Sequence, residues 1–359
     1  MSQQCGSTSV RDSRAARWHE IGTAALAAMM TSRQLLALVS LALGALSATR
    51  ASAMTKFTQP MAGPGNASAL IGSSPPVTYA GGPVIVNAEV VSVFWGPSVA
   101  STITQQVGGF YASFVDSNEL DWLCEYATPT QTIGRGSFGH NFTITPSISA
   151  TNITDAAIGD EIAAQINAGH LPQPDANTVY VLQFPPFVVI TEPGGTNSCM
   201  AGGYCAYHGY WTRTIAGVQS TLLYVVMPDF ASGGCASGCG DRAVFANFTK
   251  TVAHEITETI TDPIVGTGWI PEIGDPCNYS VIGEASYAPF VGKGGIIYYA
   301  QTEWSQRASS CVGGGPCMSQ SAAVPATTVA HVTALSAFLF LASAVALRPL
   351  RRRATTHGA

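Results

Sequence analysis

The sequence predicts a single α+β domain in which helices pack on a mixed sheet. Apolar, β-branched runs at residues 83–95, 177–184 and 221–227 read as buried strands. Helical apolar spacing recurs at 103–115, 154–168 and 241–260. Strand and helix patterns alternate along one continuous stretch, which calls for a layered domain of both element types.

Segment 83–95 (PVIVNAEVVSVFW) is apolar nearly throughout, as a strand covered on both faces is. In 103–115, Val107, Phe110, Tyr111 and Phe114 fall on one helical face. Residues 141–145 read as a short strand. Helix 154–168 carries Asp155, Asp160 and Glu161 toward its start, where the helix dipole favours acids. The longest helical pattern, 241–260, is closed by Asp262-Pro263. Gly134 to Gly139 (GRGSFG) fits G-x-G-x-x-G but lacks the long strand-to-helix context of a phosphate loop, so it reads as a turn.

Around this domain, 77–311, the chain divides by composition. Residues 1–53 read as a leader and signal peptide: Arg33, an apolar run at 35–46, and Ala51-Ser52-Ala53 as the small-x-small cleavage site. The polar stretch ahead of Met29 fits an extended leader or a later start at Met29 or Met30. A first membrane anchor is the competing reading of the apolar run, which is short for a span of about 20 residues. Residues 54–76 are a Pro-, Gly- and Ser-rich arm, and 312–331 a linker. Residues 332–347 are apolar and the basic tail 348–359 follows, as in a stop-transfer segment or a bacterial sorting tail. The expected location is extracellular, with the membrane as a partner through 332–347.

Only 10% of the 359 residues are charged and the net charge is −5, with no basic block in mid-chain. Nucleic-acid binding, which needs a concentrated cationic face, is not expected. Cys5 lies in the leader, and eight cysteines remain. In an exported chain they predict disulfides, with Cys199–Cys205, Cys235–Cys239 and Cys277–Cys311 as the expected pairs. A zinc site at Cys235-x3-Cys239 is the alternative. Sequons at Asn66, Asn141, Asn152, Asn247 and Asn278 would be surface glycosylation sites in a eukaryote.

The chemistry concentrates at HEITETITDP, residues 254–263. On a helix, His254 and Glu258 project from one face, with Asp262 a further turn along. In the zinc-protease helix His-Glu-x-x-His, two histidines bind the metal and the glutamate activates water. Here Glu258 replaces the second histidine, and a carboxylate is an acceptable zinc ligand. His254 and Glu258 are therefore candidate zinc ligands, Asp262 a candidate beside them, and Glu255 the candidate general base. An acidic pair on a following loop, Glu272 and Asp275, offers a further ligand or a supporting partner, held near by Cys277. His208, in an aromatic segment (CAYHGYW) expected to be a loop, is a candidate ligand or donor. Against these stands an ordinary helix with surface acids and a packed histidine. The motif gives the fold expectation its zincin-like character.

Several of these features together resemble the EXORDIUM / phosphate-induced protein family of secreted plant proteins and their microbial relatives. They are GGPV leading to VFWG (81–96), CAYHGYW, Cys235 to Cys239 before a helix, HEITETITDP, then GW and EIGDPC. The resemblance implies an exported protein with a cell-wall or growth-related role, and an extracellular protein or wall component as partner. It marks His254, Glu255, Glu258 and Asp262 as the positions to watch. The hydrophobic C-terminal segment departs from the plant pattern. Two function classes follow: a non-catalytic extracellular protein with a metal site, and a zinc-dependent peptidase-like hydrolase.

Overall fold

A computed structural model of the chain describes residues 56–57, 76–280 and 286–317. Its centre is a six-stranded mixed sheet of β1 (Lys56–Phe57), β2 (Glu89–Phe94), β3 (Ser137–Thr143), β4 (Thr178–Gln183), β5 (Ala206–Ile215) and β6 (Val218–Met227). The spatial order is β1-β5-β6-β4-β2-β3. β6, β4, β2 and β3 run parallel. β5 turns back on β6 as an antiparallel hairpin, and β1 pairs antiparallel with β5. The helices are α1 (Ser101–Thr104), α2 (Val107–Phe114), α3 (Asn118–Asp121), α4 (Asp155–Asn167), α5 (Cys235–Gly238), α6 (Val244–Thr261) and α7 (Asp275–Ser280). A hairpin of β7 (Tyr287–Val291) and β8 (Ile297–Gln301) follows, then a second of β9 (Glu303–Ser305) and β10 (Ser310–Val312). The α+β class and the mixed sheet are as the sequence predicts.

Strand alternation divides the core in two. Val90, Val179, Val181, Leu223 and Val225 face one side of the sheet, where α2, α6 and the β7–β8 hairpin lie. Val91, Val93, Leu182, Tyr224 and Val226 face the other, packed by α4. The same alternation sends His208 to the α6 face and its neighbour Tyr207 to the α4 face. Segment 205–211, expected as a loop, is thus the start of β5. Its aromatic residues are strand residues sorted between two cores.

Three element boundaries differ from expectation. In the predicted strand 83–95 only Glu89–Phe94 pairs as strand. Val84 instead exchanges hydrogen bonds with the Gln131 side chain, and Ile85 N donates to Ile260 O. The helix at 103–115 is two helices, α1 and α2. Ile103 and Val107 are both buried, so the apolar period continues although the axis does not. The helix expected from 241 starts at Val244, because the Asn247 side chain bonds both N and O of Arg242 and holds the preceding residues in a turn.

Four disulfides are present among the described residues: Cys124–Cys317, Cys199–Cys235, Cys205–Cys239 and Cys277–Cys311. Only the last matches the expected pairs. Cys199 and Cys205 each reach across to α5, where Cys235 and Cys239 stand one turn apart. Local spacing alone does not choose among these pairings. With both sulfurs oxidised, Cys235-x3-Cys239 is not a zinc site. The described chain runs on to Cys317, beyond the Cys311 at which the sequence reading closes the domain. Disulfides at this density fit an oxidising, extracellular environment. The leader, the arm but for β1, and segments 332–347 and 348–359 lie outside the described residues. Among the described residues no helix is long and apolar enough to cross a membrane. Asn141 and Asn152 are exposed, but Asn247 and Asn278 are 5% and 3% exposed. The last two sequons are therefore not surface sites, and Asn66 lies outside the described residues.

One buried acid has a consequence for pH. Glu119, on α3, is 5% exposed, and burial pushes its carboxyl up to about 7. The folded state thus holds the proton more tightly than the unfolded chain. That stabilisation is present below the ordinary value of 4.5 and is lost as the pH rises toward 7. At pH 8 the ionised group costs about 2–3 kcal/mol. Glu119→Gln is therefore expected to raise Tm at pH 8 by about 4–10 °C and to leave it nearly unchanged at pH 4. Thermal melts at the two pH values check this; equal shifts at both would contradict it.

Candidate metal centre

Every residue from Asn247 to Thr261 on α6 is buried, because the sheet covers one side of the helix and the β7–β8 hairpin the other. Three of its threonines are tolerated there by bonding back to the helix. Thr257, Thr259 and Thr261 donate to the carbonyls of His254, Glu255 and Thr257. Charged groups in such a setting need partners or an ion.

His254 Nε2 faces Glu258 Oε2 at 3.1 Å, one turn along α6. The other oxygen, Oε1, accepts from the backbone N–H groups of Gly274 and Asp275, both at 3.1 Å. The loop after Glu272 therefore orients the Glu258 carboxylate, and Cys277–Cys311 and the bond from Trp304 N to Ile273 O fasten that loop. On the sheet side, His208 Nδ1 lies 3.1 Å from Glu255 Oε2 and 3.7 Å from Glu258 Oε2. Its Nε2 is 3.2 Å from Glu272 Oε1, outside hydrogen-bond geometry. Two triads result, His254–Glu258–Asp275 and His208–Glu255–Glu258, each with donor atoms within 4.8 Å of one another.

The structure thus gathers His208, His254, Glu255, Glu258, Glu272 and Asp275. It leaves out Asp262. Beyond the end of α6, that carboxylate accepts from Gly266 N, Thr267 N and Gly268 N at 2.5, 3.1 and 2.6 Å. Its oxygens are spent on shaping a turn, and α6 ends at Thr261, so the helical register that would bring it to the cluster is broken. Two residues that the sequence reading missed belong to the site. Gln301 Nε2 lies 2.8 Å from His254 Nδ1 and donates to Gly274 O at 3.0 Å. Glu303, 2% exposed, lies beside them: a Cβ on Gly274 would sit 2.3 Å from His254 Nδ1 and 2.6 Å from Glu303 Oε2. Residue 274 must accordingly be glycine. Gln301 and Glu303 belong to strands with no motif of their own, so nothing local in the sequence marks them.

Electrostatics report an excess of negative charge. Burial pulls the His254 imidazolium down, but Glu258, Glu255 and Glu303 outweigh it and raise the group to about 10. His208 is raised well above its ordinary value in the same way, burial opposing and Glu272 and Glu255 prevailing. Burial raises Glu255, Glu258 and Glu303, with the histidines opposing, and takes Asp275 up to about 7. Protons are thus held where a cation would otherwise serve. His208 Nε2, Glu255 Oε1, Glu258 Oε2, Asp275 Oδ1 and both oxygens of Glu272 and Glu303 have no hydrogen-bond partner although buried. Two ligands on zinc at bonds of about 2.1 Å and a tetrahedral angle stand roughly 3.4 Å apart. The separations of His254 Nε2 from Glu258 Oε2 and of His208 Nδ1 from Glu255 Oε2, both 3.1 Å, are close to that. The residues therefore fit a metal ion.

Gln301 Nε2 or, after a half-turn of the amide, its unpartnered Oε1 faces His254 Nδ1; an Nδ1–H donated to Oε1 would leave Nε2 free to hold an ion.

No protein-family model matches this chain, and no curated protein sequence matches it significantly.

Proposed function

We propose that this chain is an exported, EXORDIUM-like cell-surface protein whose domain is built around a buried metal centre, zinc by ligand type, and that it serves a cell-wall or growth-related role without turning over a substrate. The observation that carries the non-catalytic reading is closure. His208, His254, Glu255 and Glu258 are all 0% exposed and Glu272 is 2%. A hydrolytic centre has to present its reacting face to a substrate. A donor set buried except for the half-buried Asp275 instead suits an ion that holds α6, β5 and the 272–275 loop together. The hydrophobic segment 332–347 would keep the protein at the membrane.

A second reading, a zinc-dependent peptidase-like hydrolase, is favoured by one observation. Glu255 follows the candidate ligand His254 directly, with one oxygen on His208 and the other unpartnered. A bound divalent ion supplies Lewis acidity at such a site. Glu255 would accept the proton of attacking water, and His208 would fix the carboxylate.

Chelation separates the readings. If the ion is structural and present at about 100 times its Kd, its removal costs about 2.7 kcal/mol, and EDTA lowers Tm by about 5–10 °C. Glu255→Gln, which leaves the ligands of the ion on His254 intact, should then keep at least part of that shift, and neither protein should cleave a peptide library. No EDTA effect would overturn the metal centre. Cleavage by the native chain that Glu255→Gln abolishes would replace the first reading by the second.

A further inference from the structure

The geometry points to a second divalent cation in the same centre, held by His208, Glu255 and Glu258 and sharing the Glu258 carboxylate with the ion on His254, Glu258 and Asp275. This rests on the metal reading above and extends it from one ion to a bridged pair. Two observations carry it. First, there are two donor triads, and Glu258 is their common member. Its Oε2 lies 3.1 Å from His254 Nε2 on one side and 3.7 Å from His208 Nδ1 on the other. Ions that share a ligand in this way stand roughly 3.5–4 Å apart.

Second, each imidazole has its own polar group facing its far nitrogen. Glu272 Oε1 faces His208 Nε2 at 3.2 Å, and Gln301 faces His254 Nδ1 at 2.8 Å. A histidine ligand is oriented in this manner, by a carboxylate or amide behind the ring. Two rings with two separate supports indicate two ligation points. Unpartnered buried oxygens lie on the His208 side as well, at Glu255 and Glu272.

The test is metal stoichiometry on the purified full chain, dialysed against zinc and read by elemental analysis. About two equivalents are expected in the native chain and about one in His208→Ala. Loading with manganese should give the electron spin resonance of a coupled pair in the native chain and of an isolated ion in the variant. One equivalent in the native chain would overturn the second ion and leave the metal centre standing. None would remove both. Two equivalents retained in His208→Ala would also overturn the assignment. Should His208→Ala fail to fold, Glu272→Gln keeps the shape of the site and should weaken only the second ion, by about 10–100-fold in a chelator competition. Equal affinity for both ions in that variant would refute the proposal.

Discussion

Asp155→Ala is expected to cost about 3–5 kcal/mol. Asp155 opens α4 directly after Thr154, whose side chain caps the helix by accepting from Ala157 N. Its carboxylate accepts from Tyr224 at 2.6 Å, Tyr207 at 3.1 Å and the Trp211 indole at 2.8 Å. It thereby ties the helix to both strands of the β5–β6 hairpin, where Trp211 and Tyr224 stack at 3.5 Å. Burial raises its carboxyl, with Tyr224, Trp211 and Tyr207 opposing. Truncation removes this acceptor from three buried donors, at about 1–3 kcal/mol each before relaxation, and removes an acid from a helix N-terminus. Equilibrium denaturation measures the loss, and the near-UV circular dichroism of the Trp211–Tyr224 stack should change with it. A cost under about 1 kcal/mol would mean that the donors find water instead.

Replacing Cys124 and Cys317 together by serine is expected to cost about 4–5 kcal/mol, and Tm to fall by about 10–20 °C. The bond closes a loop of 193 residues, the longest of the four. The entropy withheld from the unfolded chain grows with loop length. In the native state the end it secures has few other ties: Gly315 N donates to Asn118 O, and Gly314 lies against Glu119. The denaturant m-value should rise as the unfolded state expands. A stability change below about 1 kcal/mol would show that the strap constrains neither state.

What the sequence revealed follows from which interactions are local. Strands β4 and β6 and helix α4 were legible because their apolar runs and caps lie within the element. His254, Glu255 and Glu258 were legible because helical spacing alone puts them a turn apart. Glu272 and Asp275 could be named as candidates because they follow closely and Cys277 suggested a tether. Asp262 was misplaced because extrapolating a helix by one more turn ignored the turn that Gly266 and Gly268 make around its carboxylate. His208 was placed in a loop because alternation between two cores looks aromatic throughout, and only the sheet says which residues face α6. Gln301 and Glu303 stood outside any pattern, since their role comes from a hairpin packed over the helix. The cysteine pairing was hidden for the same reason: α5 and β5 meet only in the folded chain.

The central claim is that an imidazole and a carboxylate one turn apart on a buried helix bind a shared ion. Anomalous diffraction at the zinc edge, from crystals grown in zinc-replete buffer, tests it most directly. The account predicts an anomalous peak bonded to His254 Nε2 and Glu258 Oε2 at about 2.0–2.2 Å. A site without such a peak, in which His254 Nε2–H donates a hydrogen bond straight to Glu258, would contradict it.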